Sequence, residues 1–375
     1  MPLVPSRYPS FGPKPENVLM KSLLNLVSDL HTISLFRRTT SAPTTSAQRK
    51  QRAQCRRPLS VLSNPPALKT PYVTPYPLAA IAILSPPSLA ESPKLCMAYG
   101  SRIVCGVTPG RAGAAVLGLP VYNTVQSALC QHAIDAAVVY APPLAVRNAV
   151  LESLEARIPV IIVLAENVPV HDTVVIRAHA RANGAIVVGF NTNGVISPGK
   201  CQLGAIGGDI PSRVFVPGSI GTVSRSGGMS AELGLTLKAA GYGVSTAVSM
   251  GGDTVPCTPM VEYVRLFAED PETAAILMFG EPGTPNEREV AEVVKAGRCA
   301  KPVIAVLAGE FQERYPVGAS FGHAAAIIRD SNDTVSAKRR MLLEAGIEVA
   351  HRLSEIPAML RARGIHPDRE SEPNE

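Results

Sequence analysis

The chain has 375 residues, of which 46% are hydrophobic and 18% charged, so it can bury a core and is not disordered throughout. Its net charge of +6 is concentrated at the amino terminus: residues 1–90 hold 11 Lys/Arg and two acidic residues, whereas residues 91–375 hold 25 basic and 28 acidic residues. A nucleic-acid-binding fold would carry its positive charge on the folded face, so no nucleic-acid partner is expected. The longest apolar run, Pro77–Leu84, is far too short to span a membrane, so no membrane partner is expected either.

Residues 1–71 form a Pro/Ser/Thr/Arg-rich extension, predicted to be disordered or to act as a transit peptide. The Arg-rich, Ser-rich, acid-poor composition is typical of an organelle transit peptide and predicts the mitochondrial matrix. An unstructured tail, or upstream sequence wrongly attached to the gene product, has the same composition, and a cytoplasmic protein is the alternative. The seven cysteines are scattered with no CxxC pair, so buried reduced thiols are expected rather than disulfides or zinc ligands.

Short β-branched runs alternate with helix-length stretches through the rest of the chain. Continuous apolar strands that alternate with helices are typical of parallel sheets covered on both faces. A Pro/Gly-rich link at 197–221 separates two sets of strands, so we predict an α/β protein with doubly wound domains at residues 72–205 and 220–364. The predicted strands are Arg102–Val107, Asp135–Tyr140, Val160–Leu164 and Ala185–Phe190 in the first domain, and Thr222–Ser224, Val244–Met250, Ala274–Phe279, Val303–Leu307 and Ile347–Ala350 in the second.

Three Gly/Pro-rich turns follow predicted strands of the first domain, at Gly106–Gly113, Ala165–Pro169 and Gly189–Gly199. In doubly wound folds, ligands bind beyond the carboxyl ends of the strands. Each turn alone is a weak signal, because Gly and Pro end strands in any protein. Together the turns predict one binding crevice.

The second domain opens with a strand, a polar glycine turn and a helix over Ser224–Glu232. Free backbone N–H groups and the helix dipole at such a start can bind an anion, and Ser226 or Ser230 can cap the helix. An ordinary capped helix without a ligand has the same sequence pattern. The order of strand, Ser-rich turn and helix favours phosphate binding.

His323 lies between a glycine and a run of alanines, which leaves space beside its ring. Such an imidazole can accept a phosphoryl group on one nitrogen while a carboxylate holds the other. Glu281, at the end of a predicted strand, is the candidate carboxylate, although a surface charge in a loop is the plainer interpretation. Five other histidines are interpreted as structural or exposed: His132, His171, His179, His351 and His366.

Seven motifs, taken in their order along the chain, resemble the α subunit of succinyl-CoA synthetase, and the resemblance runs from about Tyr99 to Gly364. They include Gly-Val-Thr-Pro-Gly at 106–110, Ser-Arg-Ser-Gly-Gly-Met at 224–229, Gly-Glu-Pro-Gly at 280–283 and Phe-Gly-His-Ala at 321–324; the others lie at 117–125, 191–199 and 251–253. The 224–229 motif also resembles the corresponding region of ATP-citrate lyase and citryl-CoA synthetase. Since a lyase carries a further domain after this region, full-length lyase is not expected.

The resemblance implies a CoA-binding Rossmann-like domain followed by a flavodoxin-like ligase domain that carries a phosphohistidine. It implies that His323 carries the phosphoryl group and that Glu281 orients its ring. The residues implied in phosphate binding are Ser224, Ser226, Gly227 and Gly228, and those implied in coenzyme A binding are Val107, Thr108, Pro109, Gly110, Arg111, Glu166, Asn191 and Asn193. Arg111 stands where the family usually has Lys, which keeps the charge but changes its geometry.

The resemblance also implies partners and a metabolic role. ATP or GTP, with Mg²⁺, would bind to an ATP-grasp β subunit, and no metal site is expected on this chain. The implied reaction is the formation or cleavage of an acyl-CoA thioester of a small carboxylic acid, as in the tricarboxylic acid cycle. The sequence does not decide whether the acid is succinate, citrate, malate or another.

One departure concerns the first glycine-rich turn of the family, which should fall near Ile83–Pro93. That segment has no glycine and contains Pro86-Pro87, so a phosphate cradle of backbone N–H groups is not expected there. Either CoA binding is weakened or the start of the sequence is not the native exon. A degenerate, non-catalytic CoA-binding homologue is therefore the alternative function. An NAD-type dehydrogenase is disfavoured, because a GxGxxG turn is missing.

Overall fold

The computed structural model describes residues 80–84 and 91–368. The predicted extension at 1–71 and the Pro86-Pro87 segment lie outside these residues. The described chain contains two seven-stranded sheets.

The first sheet has the order β3-β4-β2-β1-β5-β6-β7, and all neighbouring strands are parallel except the β3–β4 hairpin. Its strands are β1 (Ala80–Leu84), β2 (Ile103–Val107), β3 (Ala115–Val116), β4 (Leu119–Tyr122), β5 (Ala136–Tyr140), β6 (Val160–Val163) and β7 (Ile186–Val188). The helices are α1 (Glu91–Ala98), α2 (Val125–Leu129), α3 (Pro143–Glu155) and α4 (Val170–Asn183). Every residue of β5 and β6 is buried, as continuous apolar runs predict for a sheet covered on both faces.

The second sheet has the order β14-β13-β12-β10-β11-β8-β9. Its strands are β8 (Gly194–Ser197), β9 (Cys201–Gly204), β10 (Pro217–Ser224), β11 (Val244–Ser249), β12 (Ala275–Gly280), β13 (Val303–Leu307) and β14 (Glu348–Ala350). Its helices are α5 (Gly227–Ala239), α6 (Met260–Glu269), α7 (Asn286–Lys295), α8 (Val335–Glu344) and α9 (Ile356–Ala362). The strands from β10 to β14 are parallel, whereas β8 pairs antiparallel with both β11 and β9.

All nine predicted strands are present, with shifts of a few residues at their ends. Two hairpins were not predicted: β3–β4 and β8–β9. The β8–β9 hairpin begins at Gly194 and belongs to the second sheet, although the predicted first domain runs to residue 205. Strand β10 begins at Pro217, inside the predicted link. The Gly and Pro residues of the β8–β9 segment predict a loop, because these residues end strands in most sequences.

The two sheets pack against each other through a shared apolar core. One buried cluster contains Val138 and Ile162 of the first sheet together with Val223 and Met278 of the second. Polar contacts cross the same boundary: the Ser101 hydroxyl donates to the Gln202 carbonyl at 2.6 Å. The two halves of the described chain are therefore in both apolar and polar contact.

Five of the cysteines are free and buried, as predicted: Cys96, Cys105, Cys201, Cys257 and Cys299. The prediction of reduced thiols does not hold for Cys130, which is disulfide-bonded. Each helix within residues 80–84 and 91–368 is too short or too polar to cross a membrane.

Candidate active site

The carboxyl ends of the central strands of the second sheet lie level with one another. Ser224 at the end of β10 pairs with Ser249 of β11 on one side and with Phe279 of β12 on the other. Because these strands are parallel, the turns that follow them meet at one edge of the sheet. The loop that carries His323 lies against this edge.

The imidazole of His323 is held by the carboxylate of Glu281. The Nδ1 atom of His323 lies 2.9 Å from both Oε1 and Oε2 of Glu281. The His323 side chain is 30% exposed and that of Glu281 13%, so the histidine is reachable while its partner is mostly covered. A hydrogen bond at Nδ1 places the proton there and leaves Nε2 as the free nitrogen.

Glu281 also determines the charge state of the histidine. The hydrogen bond to Glu281 is the main cause that raises the pKa of His323 above its ordinary value. Partial burial and the positive charge of Arg225 oppose this rise, whereas the charge of Asp253 adds to it. The ring is therefore placed among charges of both signs.

The backbone of Gly252 lies directly against the His323 ring. A Cβ atom built on Gly252 would lie 2.5 Å from Cδ2 and 2.9 Å from Nε2 of His323. Real Cβ atoms do not approach other atoms so closely, so only glycine leaves room for the ring at this position.

The backbone of Glu281 is held by a buried ion pair. Lys338 of α8 and Glu287 of α7 lie 2.6 Å apart, with side chains that are 3% and 0% exposed. Lys338 Nζ also donates to the Glu281 carbonyl at 2.6 Å, and the Glu281 N–H donates to Glu287 Oε1 at 3.2 Å. Both polar groups of the Glu281 backbone are thus bonded to the same pair.

Arg225 is fully buried beneath the same edge. Its Nη2 donates to the carbonyls of Gly252 at 3.3 Å and Asp253 at 3.4 Å, whereas Nε and Nη1 have no hydrogen-bond partner among the described residues. Burial lowers the pKa of its guanidinium, while the carboxylates of Glu281, Glu287 and Asp253 oppose that shift. This buried cation lies close enough to influence the histidine.

The predicted phosphate-binding residues form the start of helix α5. Ser226 is the N-cap, and its Oγ accepts from the Met229 N–H at 3.4 Å. The Ser224 hydroxyl donates to the Ser226 carbonyl at 2.7 Å, which shapes the turn before the helix. The N–H groups of Gly227 and Gly228 fall in the first turn, where no intrahelical acceptor exists, so they are available to an anion.

Asn193, a predicted CoA-binding residue, contacts this helix start. A Cβ atom built on Gly227 would lie 2.2 Å from Nδ2 of Asn193. Asn193 is exposed, and its N–H lies 3.5 Å from the Ser249 hydroxyl at the end of β11. The structure therefore brings one predicted CoA residue and the predicted phosphate-binding turn into direct contact.

Asp253 joins the turns after β6 and β7 to the histidine. Burial raises the pKa of its carboxyl, and hydrogen bonds from the Asn167 backbone and the Asn191 side chain oppose the rise, while the charge of Glu166 adds to it. Since Asp253 also acts electrostatically on His323, the predicted residues Glu166 and Asn191 lie near the catalytic candidates.

The turn over Val107–Arg111 lies at the carboxyl end of β2. Val107 is buried, the Thr108 N–H donates to the Tyr122 carbonyl at 2.8 Å, and Arg111 is exposed. Gly110 has a φ of +79°, and a Cβ built there would meet nothing within 4 Å, so open space adjoins the turn. Pro109 is exposed beside it.

Five residues of this region have no predicted role: Gly252, Asp253, Arg225, Glu287 and Lys338. The first three lie within motifs that carry the resemblance, but the sequence does not indicate what they do. Glu287 and Lys338 have no local signal, because charged residues on predicted helices normally indicate a solvent-exposed face.

Two family models match the chain, one on each sheet. The CoA binding domain model matches residues 91–167, and the CoA-ligase model matches residues 223–347.

Curated relatives extend over both regions. An ADP-forming sulfoacetate–CoA ligase subunit of Acholeplasma sp. is 41% identical over 269 residues, which are 72% of this chain and 90% of the relative. The ADP-forming succinate–CoA ligase subunit α 1 of Archaeoglobus fulgidus is 37% identical over 268 residues, which are 72% of this chain and 89% of the relative. The chain belongs to the family of acid–CoA ligase α subunits. Another relative, the malate–CoA ligase subunit α of Methylorubrum extorquens, is 35% identical over 261 residues, which are 68% of this chain and 86% of the relative.

A solved structure supports the fold of this acid–CoA ligase α subunit. ATP citrate lyase from Methanothrix soehngenii, in complex with citrate and coenzyme A, matches with a TM-score of 0.70 and 26% identity over 79% of this chain. The match covers 52% of the lyase chain, so this chain spans about half of that protein. The resemblance to succinyl-CoA synthetase α and the predicted fold class, a Rossmann-like CoA-binding domain with a ligase domain, are thereby confirmed.

Proposed function

We propose that this acid–CoA ligase α subunit acts through a phosphohistidine at His323. The observation that carries the proposal is the contact of His323 Nδ1 with both oxygens of Glu281, which leaves Nε2 as the nucleophile. The exposed fraction of the ring and the free N–H groups at the start of α5 support it, because a phosphoryl group needs access and hydrogen-bond donors.

Both phosphoryl transfers use the same ring nitrogen, Nε2, because Nδ1 stays bonded to Glu281. In the first, the Nε2 electron pair forms an N–P bond with the γ-phosphorus of a nucleotide, and the P–O bond to the diphosphate breaks. In the second, a carboxylate oxygen of the acid takes the phosphoryl group, and the N–P electron pair returns to Nε2. Throughout, Glu281 holds the Nδ1 proton and stabilises the positive charge of the phosphorylated ring.

Ser224, Ser226, Gly227 and Gly228 are proposed to bind the phosphoryl group. The serines shape the turn, as their mutual hydrogen bonds indicate, and the two glycine N–H groups face a ligand with the positive end of the helix dipole behind them. Arg225 adds a buried positive charge close by.

Coenzyme A is a substrate whose thiol displaces phosphate from the acyl phosphate. The residues at the edge of the first sheet fit such a ligand: the exposed guanidinium of Arg111 suits its phosphates, and the exposed side chains of Glu166 and Asn193 suit its hydroxyl and amide groups. We propose that Val107–Arg111, Glu166, Asn191 and Asn193 hold it, with Thr108 and Pro109 fixing the turn.

The proposed acid is a small carboxylic acid of the succinate type. The relatives named above act, by their names, on succinate, malate and sulfoacetate. These acids share one carboxylate to be activated and a second acidic group, so a panel of such acids tests the assignment.

The proposed partner is an ATP-grasp β subunit that binds ATP or GTP with Mg²⁺. Within the described residues, no group of three or more His, Cys, Asp or Glu is arranged to hold a metal ion. The relatives are described as subunits, which supports a β partner.

The mitochondrial matrix is proposed as the compartment only from the composition of residues 1–71, which lie outside the described residues. The relatives are prokaryotic and give no support to a mitochondrial location or to a role in the tricarboxylic acid cycle there. A reporter fused to residues 1–70 tests the transit-peptide prediction, and a diffuse cytosolic signal would favour the cytoplasmic alternative.

Labelling of the chain tests the phosphohistidine directly. The chain co-purified with its β partner should be labelled by γ-³²P-ATP or γ-³²P-GTP, in an acid-labile, base-stable bond. His323→Asn should fold, because its Gly and Ala neighbours tolerate a smaller polar group, but it should take no label. A labelled and active His323→Asn complex would refute the proposal, and an unlabelled parent complex would favour the non-catalytic alternative.

A further inference from the structure

The buried ion pair Lys338–Glu287 is the strongest feature that the proposed reaction leaves without a role. Its side chains are 3% and 0% exposed, and neither hydrogen-bonds to His323 among the described residues. Removing two charges from water has a large desolvation cost, which their attraction offsets only with good geometry, so such a pair is weak evidence for stability alone. A role in orientation is the better account of its position.

The pair bonds both backbone polar groups of one residue, Glu281. Lys338 Nζ donates to the carbonyl of Glu281, and Glu287 Oε1 accepts from the N–H of Glu281. Glu287 is also packed against the preceding residue, because a Cβ built on Gly280 would lie 2.2 Å from Glu287 Oε1. Helices α7 and α8 thus fix the backbone from which the Glu281 carboxylate projects.

We propose that Lys338 and Glu287 are positioning residues for the phosphoryl transfer, acting on His323 through the backbone of Glu281. This inference rests on the proposed function of His323. Since His323 Nδ1 lies 2.9 Å from both carboxylate oxygens, a small rotation of the Glu281 backbone breaks the symmetric contact and frees the ring. A displacement of about 1 Å at a reacting group can cost about a hundredfold in rate.

The test variant removes the pair without leaving a buried charge. Lys338→Met/Glu287→Gln is neutral and keeps similar volumes, whereas either single change would leave an unpaired buried ion and risk misfolding. The matched control is Lys301→Met. Lys301 Nζ also donates to two backbone carbonyls, those of Phe267 and Asp270, but it lies just before β13, at the opposite edge of the sheet from Glu281.

Two measurements are made on the full chain with its β partner. The first is the rate of labelling by γ-³²P-ATP, expected to fall at least about tenfold in the double variant and to stay within about twofold of the parent in Lys301→Met. The second is an NMR titration of His323, whose pKa should fall towards its ordinary value in the double variant only. Arg225 and Asp253, the other charged groups that act on His323, are unchanged in both variants.

Thermal unfolding separates a structural role from a positioning role. A double variant that is less stable but keeps the parent labelling rate and His323 pKa would overturn the inference. If the His323→Asn complex is still labelled, the proposed function fails instead, and the NMR titration still decides whether the pair orients the ring. Loss of labelling with an unchanged His323 pKa would also count against positioning through Glu281.

Discussion

The backbone of Gly252 and the ring of His323 are in direct contact: a Cβ atom on Gly252 would lie 2.5 Å from His323 Cδ2. The ring is therefore confined on two sides, by the Glu281 carboxylate at Nδ1 and by the Gly252 backbone beside Cδ2 and Nε2. The same Gly252 carbonyl accepts from Arg225, so one short turn after β11 contacts both the nucleophile and the buried cation.

Gly252→Ala should slow labelling of His323 by at least about tenfold, because the methyl group forces the ring away from its position. The neighbour is a ring held by a carboxylate and cannot swing aside as the end of a long side chain would. Gly228→Ala is the control: it keeps the backbone N–H that is proposed to bind the phosphoryl group, and its Cβ would meet only Ser226 Oγ at 3.9 Å. Equal labelling rates in the two variants would show that the ring relaxes without loss.

Glu281→Gln should slow labelling by about a hundredfold and move its pH dependence. Nε2 attacks only when the ring is neutral, and Glu281 raises the pKa of His323, so the parent rate should fall as the pH drops through that raised value. Without the carboxylate, the acid limb of the pH–rate profile should shift to lower pH. An unshifted limb would mean that another group titrates.

The same pKa shift affects stability with a defined sign. Because the pKa of His323 is raised in the folded protein, the charged pair contributes stability that is fully present below the ordinary histidine pKa and is lost as the pH rises through the folded value. Glu281→Gln should remove this contribution, so parent and variant should differ most in melting temperature at acidic pH.

Arg225→Gln should shift the acid limb in the opposite direction. The positive charge of Arg225 lowers the pKa of His323, so its removal should raise that pKa and move the limb to higher pH. The matched change at an exposed arginine, Arg111→Gln, should leave the limb in place. A limb that moves to lower pH in Arg225→Gln would indicate a change of geometry rather than of charge.

The sequence predicts the parts of the fold that have a strong local signal. Buried strands such as β5 and β13 are uninterrupted apolar runs, and each lies close to its predicted range. The β8–β9 hairpin was missed because Gly194 and Gly204 lie inside it, where each backbone approaches the other strand too closely for a Cβ. A long-range contact, not a local preference, makes these residues part of a sheet.

The candidate site likewise contains residues that the sequence indicates and residues that only the structure reveals. His323 and Glu281 are 42 residues apart, and the sequence pairs them only through the position of Glu281 at a predicted strand end and through the resemblance. Lys338 lies 51 residues from Glu287 on a helix whose sequence resembles an exposed one, so its burial follows only from the packing of α8 on α7. Arg225 likewise looks like a surface residue in a polar turn, yet it is fully buried.

Gly227 provides a test of the contact between the two predicted binding regions. A Cβ on Gly227 would lie 2.2 Å from the Asn193 side-chain amide, whereas a Cβ on Gly228 meets only Ser226 Oγ at 3.9 Å. Gly227→Ala should therefore displace Asn193, while Gly228→Ala should not. Both changes replace a glycine in the first turn of α5, so their effects on helix stability should be similar.

If Asn193 binds coenzyme A, Gly227→Ala should weaken its affinity by about three- to tenfold, the usual value of one hydrogen bond, and Gly228→Ala should not. Calorimetric titration with coenzyme A measures this. Asn193→Ala should cost a similar amount, and the double variant Gly227→Ala/Asn193→Ala should lose no more than Asn193→Ala alone, because both changes remove one interaction. Additive losses would mean that the methyl group acts on the ligand directly rather than through Asn193.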